Sequence, residues 1–228
     1  WGQTYGSQNY QVSYPLDVVA WGYGVAGLLA MAGWLRARRL DAWRHYESLP
    51  MPSTSDEDWR RTDYRRIKWQ QAGRLLMPGA DADLSVIPAH HYAPLLDDKQ
   101  GGLLAFVDSS LAAQELSESL AAQGVIFTDL RTAVQEHPDL VEKHLMTTAV
   151  KAEDGKFAAL HAALWTHGVF LYVPRGKAVE LPLHSVFYAA SAGLTAGHIL
   201  IVVEDGGTLS PGMSVGRIDL GVLDMQVG

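Results

Sequence analysis

The stretch from Phe157 to Leu209 constrains the fold most, because its apolar residues come in three short runs, Val169–Val173, Val179–Phe187 and Ile199–Val203, divided by Gly, Pro and charged residues. β-Branched and aromatic residues dominate these runs, which is strand composition and strand punctuation. Pro174 and Pro182 fall where a ladder N–H can be missing, and Gly176, Gly197, Gly206 and Gly207 supply turns. Short strands at such spacing predict a β-sandwich, a barrel or a stacked solenoid.

The same residues carry a resemblance. The order ALHAALWTHGVFLYVPRGKAVELPLHSVF, followed by GHILIVVEDGGTL, resembles the core of the SufB/SufD family of iron-sulfur cluster assembly proteins. Two further blocks agree with it: LPMPSTSDEDWRRTDYRRI from Leu49 resembles the family's amino-terminal signature, and GVIFTDLRTAVQEHPDLVEKHL from Gly124 resembles the segment entering its core. The matching stretches run from about Trp34 to Leu209. The SufD-like branch fits better than SufB, because the chain has no cysteine and so lacks the scaffold cysteine associated with SufB.

The resemblance implies an α+β fold, with a mixed helical and α/β amino-terminal domain followed by the first rungs of a right-handed parallel β-helix. It divides the chain into an atypical segment 1–33, an amino-terminal domain 34–150 and an incomplete core 151–228. Family members are cytoplasmic, non-catalytic scaffold components that work with a SufB-like subunit and a SufC-like ATPase, and an iron-sulfur cluster is held only transiently, through the complex. The SufC contact and the histidine linked to assembly lie late in the family's sequence, so no functional residue is carried over to this chain. Sequence before about Met31 departs from the family pattern, and Ser210 to Gly228 is expected to lose the strand rhythm and leave the family's further strands missing, as in a truncated chain.

Composition narrows the function classes independently. A formal charge of -7 and a pI near 5.7 argue against wholesale binding to nucleic acid or an acidic membrane. Without cysteine there is no disulfide, thiolate zinc site or cysteine-ligated cluster on this chain. Val18 to Leu35 carries no charged residue and is followed by Arg36, Arg38 and Arg39, the pattern of a marginal membrane span with a basic flank. It supports a membrane-tethered adaptor as one alternative, although its Gly and Ala content weakens insertion; no basic region precedes it, so it does not read as a secretory signal.

Along the chain, residues 1–15 read as a flexible lead. Leu40, Trp43 and Tyr46 predict an amphipathic helix over 34–47 that stops before Pro50, and Ser55 with Asp58 predicts a short capped helix. Residues 71–98 read as a surface excursion. Leu103–Val107 is an expected strand; Ala112, Leu116 and Leu120, at a spacing of four, predict a helix ending near Gly124; Val125–Phe127 is a second strand, completing a small α/β unit. Leu130–Leu145 reads as helix interrupted at Pro138, and 151–156 as a linker.

Candidate chemistry is sparse. Trp59, Arg60, Arg61, Thr62, Asp63, Tyr64, Arg65 and Arg66, with Lys68 and Trp69, interleave bases with aromatics as a nucleic-acid surface would, yet Asp56, Glu57, Asp58 and Asp63 favour an internally paired, solvated face. Among the nine histidines, His161 and His167 flank Trp165, while Glu180 and His184 are expected on one strand face, within reach of His198 if rungs stack suitably. That trio suggests the second alternative, a cupin-like metal-dependent enzyme, but the paired-histidine motif is missing and single strand histidines are more often structural. Ser185 beside His184 lacks a nucleophile elbow, and Glu204-Asp205-Gly206-Gly207 reads as a tight turn, not a phosphate loop. The expected assignment is therefore no catalytic residue, no resident metal and no enzyme.

Overall fold

The computed structural model describes residues 32–62, 75–79, 82–95 and 100–209, and the backbone of 214–216 and 221–227. It is an α+β chain with mixed sheets. The flexible-lead reading of 1–15, the uncharged residues 18–31 and the basic positions 63–70 lie outside the described residues. No helix among the described residues is long and apolar enough to cross a membrane.

Helix α1 spans Gly33–Ser48 and gives way to extended Leu49 ahead of Pro50, as proline's restriction on the preceding residue requires. After it comes a single turn, Glu57–Trp59, preceded by Asp56 instead of the expected Ser55. The 75–95 region is only partly a surface excursion, because Ile87, next to the short helix α2 (Ala89–Tyr92), is fully buried against Leu103 and Ala105.

Strand β1 (Gly102–Val107) is buried along its whole length and turns straight back into β2 (Ser110–Leu116). This is the main departure from expectation, since Ala112 and Leu116 belong to a strand. A spacing of four is even, so it satisfies the two-residue period of a strand as well as a helical face. The hairpin turns on Asp108 at φ 53°, a conformation Asp tolerates better than most residues. The Asp108 carboxylate accepts hydrogen bonds from the amides of Ala190 (2.8 Å) and Ser191 (3.0 Å), tying the turn to the following loop. Only the four-residue α3 (Glu118–Ala121) remains of the expected helix.

Strand β3 (Ile126–Asp129) leads into α4 (Leu130–Glu136) and α5 (Pro138–His144), split at Pro138 as expected, with proline at the first helical position where its missing N–H costs nothing. A helix not anticipated, α6 (Lys156–Leu164), then packs against α1.

The rest of the chain repeats. Strands β4 (His167–Val173), β5 (Ala178–Val179) and β6 (Leu183–Tyr188) are followed by β7 (Gly197–Val203), β8 (Thr208–Leu209), β9 (Ser214–Gly216) and β10 (Gly221–Val227). The expected run Val179–Phe187 is two strands, broken around Pro182. Gly168 pairs with His198, Ala178 with Thr208 and His184 with Ser214, all parallel and all at one offset, so the chain passes through three sheets twice in the same order. β10 continues beside β7, so the strand rhythm persists beyond Leu209, contrary to expectation. β9 likewise pairs beside β6.

β1 joins β6 in parallel and β3 joins β4 antiparallel, so the first half of the chain extends two of these sheets. Alternate residues explain the continuous apolar runs. Val169, Leu171 and Val173 with Ile199, Ile201 and Val203 fill the space between sheets, whereas Phe170, Leu200 and Val202 face the helices and join Leu35, Trp43, Leu130 and Trp165. Strands covered on both faces read as unbroken hydrophobic stretches. The Glu204–Gly207 turn is tight, closed by Gly207 N–H to Glu204 O at 2.8 Å, and it stacks on the preceding turn through an Arg175–Asp205 ion pair.

Candidate functional site

The buried polar groups gather where α1 and α6 meet β4 and β7. Helix ends explain part of this. The last carbonyls of a helix lack intrahelical donors and attract cations. Arg39, 2% exposed, donates to the carbonyls of Ala163 (2.9 Å) and Trp165 (2.7 Å) at the end of α6 and lies 4.2 Å from the centre of the Trp165 ring. Arg38 donates to Glu142 O (3.1 Å) and Leu145 O (2.9 Å) at the end of α5. Lys156, at the start of α6, reciprocates with a 2.7 Å hydrogen bond to Leu49 O at the end of α1. Two of the arginines that read as a membrane flank are thus helix caps supplied from α1. Replacing Arg39 by Met should cost about 3 kcal/mol, since two buried carbonyls lose a charged donor, whereas exposed Arg36→Met should stay within about 0.5 kcal/mol. Urea unfolding midpoints at constant slope are the check, and equal midpoints would remove Arg39 from this role.

Behind Trp165 two histidines meet. His161 Nε2 and His198 Nδ1 lie 3.0 Å apart, joining α6 to β7 through one shared proton. Burial first, then His198, Arg39 and His167, hold the His161 pKa down to about 3, so the ring is neutral near pH 7. A second chain of polar groups runs alongside: Ser109 Oγ to Thr166 Oγ1 (3.0 Å), and Thr166 Oγ1 to His167 Nδ1 (3.0 Å). Burial, then Arg131, lowers His167 to about 4, partly opposed by Asp108. Asp129 caps α4 by accepting from Thr132 N–H and also takes the Gly168 N–H, each at 3.4 Å. Burial raises its pKa, against Arg131 and these amides.

Such neutral, buried imidazoles can orient and exchange a proton, but the Arg39 guanidinium beside them opposes a cation. Glu180, His184 and His198 are not brought together as a metal set. Exposed Glu180 lies beyond the end of β5, so it does not share a strand face with His184, and His198 sits in another sheet facing His161. Among the described residues no three His, Asp or Glu side chains form a metal-binding group. Ser185 is buried inside β6. In the basic block, Arg60 pairs with Glu57 at 3.2 Å, the internal pairing expected, and the Trp59 ring lies tilted against Phe157 with centroids 5.0 Å apart. Arg39 and Thr166 carry no signal in the sequence, because an arginine's burial and a threonine's hydrogen bond depend on helices packed from elsewhere in the chain.

Comparison with known proteins adds the ancestry. A family model described as the SufBD protein N-terminal region matches residues 29–184. The chain is similar to the iron-sulfur cluster assembly protein SufD of Bacillus subtilis, 35% identical over 176 residues that cover 75% of this chain and 39% of that protein. It is 26% identical to SufB of the same organism over 182 residues, covering 75% and 38%. An iron-sulfur cluster assembly SufBD family protein of Mycobacterium tuberculosis is 30% identical over 181 residues, 77% of this chain and 21% of that protein. The chain thus spans well under half the length of these relatives. With a family model covering more than half of its residues and greater identity to SufD than to SufB, the chain belongs to the SufBD family, on its SufD-like side.

Proposed function

We propose that the chain is part of a SufD-like scaffold subunit that assembles with a SufB-like subunit and a SufC-like ATPase in the cytoplasm and catalyses no step itself. The 35% identity to a SufD, against 26% to a SufB, carries this reading. The absence of cysteine supports a cluster that is cargo of the complex and not a group resident on this chain. The fixed offset of the parallel pairings in three sheets supports the opening coils of a right-handed parallel β-helix starting near residue 151, with 34–150 as the domain leading into it and 1–33 as a separate segment. In a stack each coil buries the face of the next, so its first coil needs a lid, a part that β1 and β3 suit.

The test is co-expression of the full gene product containing this chain, tagged, with the SufB-like and SufC-like proteins of its own genome. A stoichiometric complex surviving size-exclusion chromatography is expected. Elution of the tagged protein alone, with both others in the flow-through, would refute the scaffold role.

A further inference from the structure

Residues 82–95 cover the face of β1 and β6 that is turned away from the space between sheets, and one side chain does most of the holding. Ile87 is 1% exposed and packs with Leu103, Ala105, Val107 and Val186, all buried, whereas Ala82, Leu84, Tyr92 and Leu95 are only half-buried around them. Pro88 keeps Ile87 in the extended conformation, φ -81° and ψ 121°, that ends the single turn Leu84–Val86. The backbone bonds of this segment are its own. Ser85 N–H donates to the Asp83 carboxylate, Val86 N–H to Asp83 O, Ile87 N–H to Leu84 O and His91 N–H to Pro88 O. Among the described residues from 83 to 95 no hydrogen bond reaches the sheet, and Ala82 N–H to Leu111 O, at 3.1 Å, marks where the backbone leaves it.

The sheet beneath has other support. β1 is paired on both sides, with β2 and β6, and its alternate residues Leu104 and Phe106 pack into the space between sheets. A segment that holds by one anchor and closes its own hydrogen bonds can detach without breaking a ladder. We propose that residues 82–95 are a strap that opens as one unit, with Ile87 as its latch, and so uncovers the apolar face around Leu103, Ala105 and Val186 while the stack of sheets stays folded. That face is then presented intermittently, at a frequency set by how well Ile87 seats. The inference does not rest on the scaffold assignment.

Native-state hydrogen exchange of the full gene product, followed by NMR at rising urea below the unfolding transition, is the test. The amides of Val86, Ile87 and His91 should exchange at one common free energy, with protection at least about a hundredfold below that of the β1 amides and a shallower urea dependence. Ile87→Ala removes most of the latch, so the amides of Val86 and His91 should speed up together by about a hundredfold while those of β1 hold. Ile87→Asp cannot bury its charge and should keep the strap open, seen as raised fluorescence of 1-anilinonaphthalene-8-sulfonate with thermal unfolding still cooperative. Protection of the strap equal to that of β1 in the parent would overturn the proposal without recourse to any variant. So would acceleration at Val86 with His91 unchanged, loss of β1 protection in Ile87→Ala, or no gain of dye fluorescence in Ile87→Asp.

Discussion

Between pH 7 and pH 5 the protein is expected to lose about 4 kcal/mol of stability, through His161 and His167. Both rings are neutral when folded, with pKa values near 3 and 4, but take up a proton near pH 6.5 when unfolded. Below 6.5 the unfolded chain therefore binds more protons, and stability falls as pH falls, by up to about 1.4 kcal/mol per pH unit for each ring. Asp129 works in the other direction: its raised pKa makes the folded state the better proton acceptor, which offsets part of the loss. Asp108 has a lowered pKa although burial alone would raise it, because hydrogen bonds from Ser191 and Ala190 outweigh burial; its contribution disappears only in stronger acid. Guanidinium unfolding followed by tryptophan fluorescence at pH 7, 6 and 5 measures the slope. His161→Gln keeps a partner for His198 but removes one titrating ring, so its slope should be about half that of the parent. An unchanged slope would show that His161 is not the group responsible.

The second large effect is steric. Gly168 pairs with His198 across β4 and β7, and a Cβ added there would overlap the His198 carbonyl oxygen. No rotamer relieves a clash with backbone, so Gly168→Ala must push apart two central strands, at a cost of about 3 kcal/mol or more. Gly33 is the contrasting case. It opens α1 with nothing within 4 Å of where a Cβ would stand, and Gly33→Ala should be neutral or stabilise by up to about 1 kcal/mol. Thermal unfolding of the two variants should separate clearly, and comparable melting temperatures would contradict the tight pairing at Gly168.

Some elements are plain in the sequence and others are hidden, for identifiable reasons. Val169–Val173 and Ile199–Val203 are legible as strands because both faces are buried and the apolar run is unbroken. Pro138 marks a helix break because the missing N–H acts locally. Ser110–Leu116 is not legible, since its apolar spacing suits either period and the deciding event is pairing with β1, which no local preference encodes. Helix α6 escapes detection because KFAALHAAL is apolar almost all round, and its surroundings, not a polar face, make it a helix. The histidine residues stand out, but with the wrong partners: strand arithmetic matches His198 to His184, whereas the helix packed outside the sheet supplies His161. Gly168 carries no signal at all, because its need for a missing side chain comes from a neighbouring strand about thirty positions on.

The exchange of caps between α1 and α6 has a thermodynamic corollary. Lys156 completes the end of α1 and Arg39 completes the end of α6, so unravelling either helix strips the other of its cation. The two should then open as one cooperative unit, their amides exchanging with solvent deuterium at a common free energy although more than a hundred residues separate them along the chain.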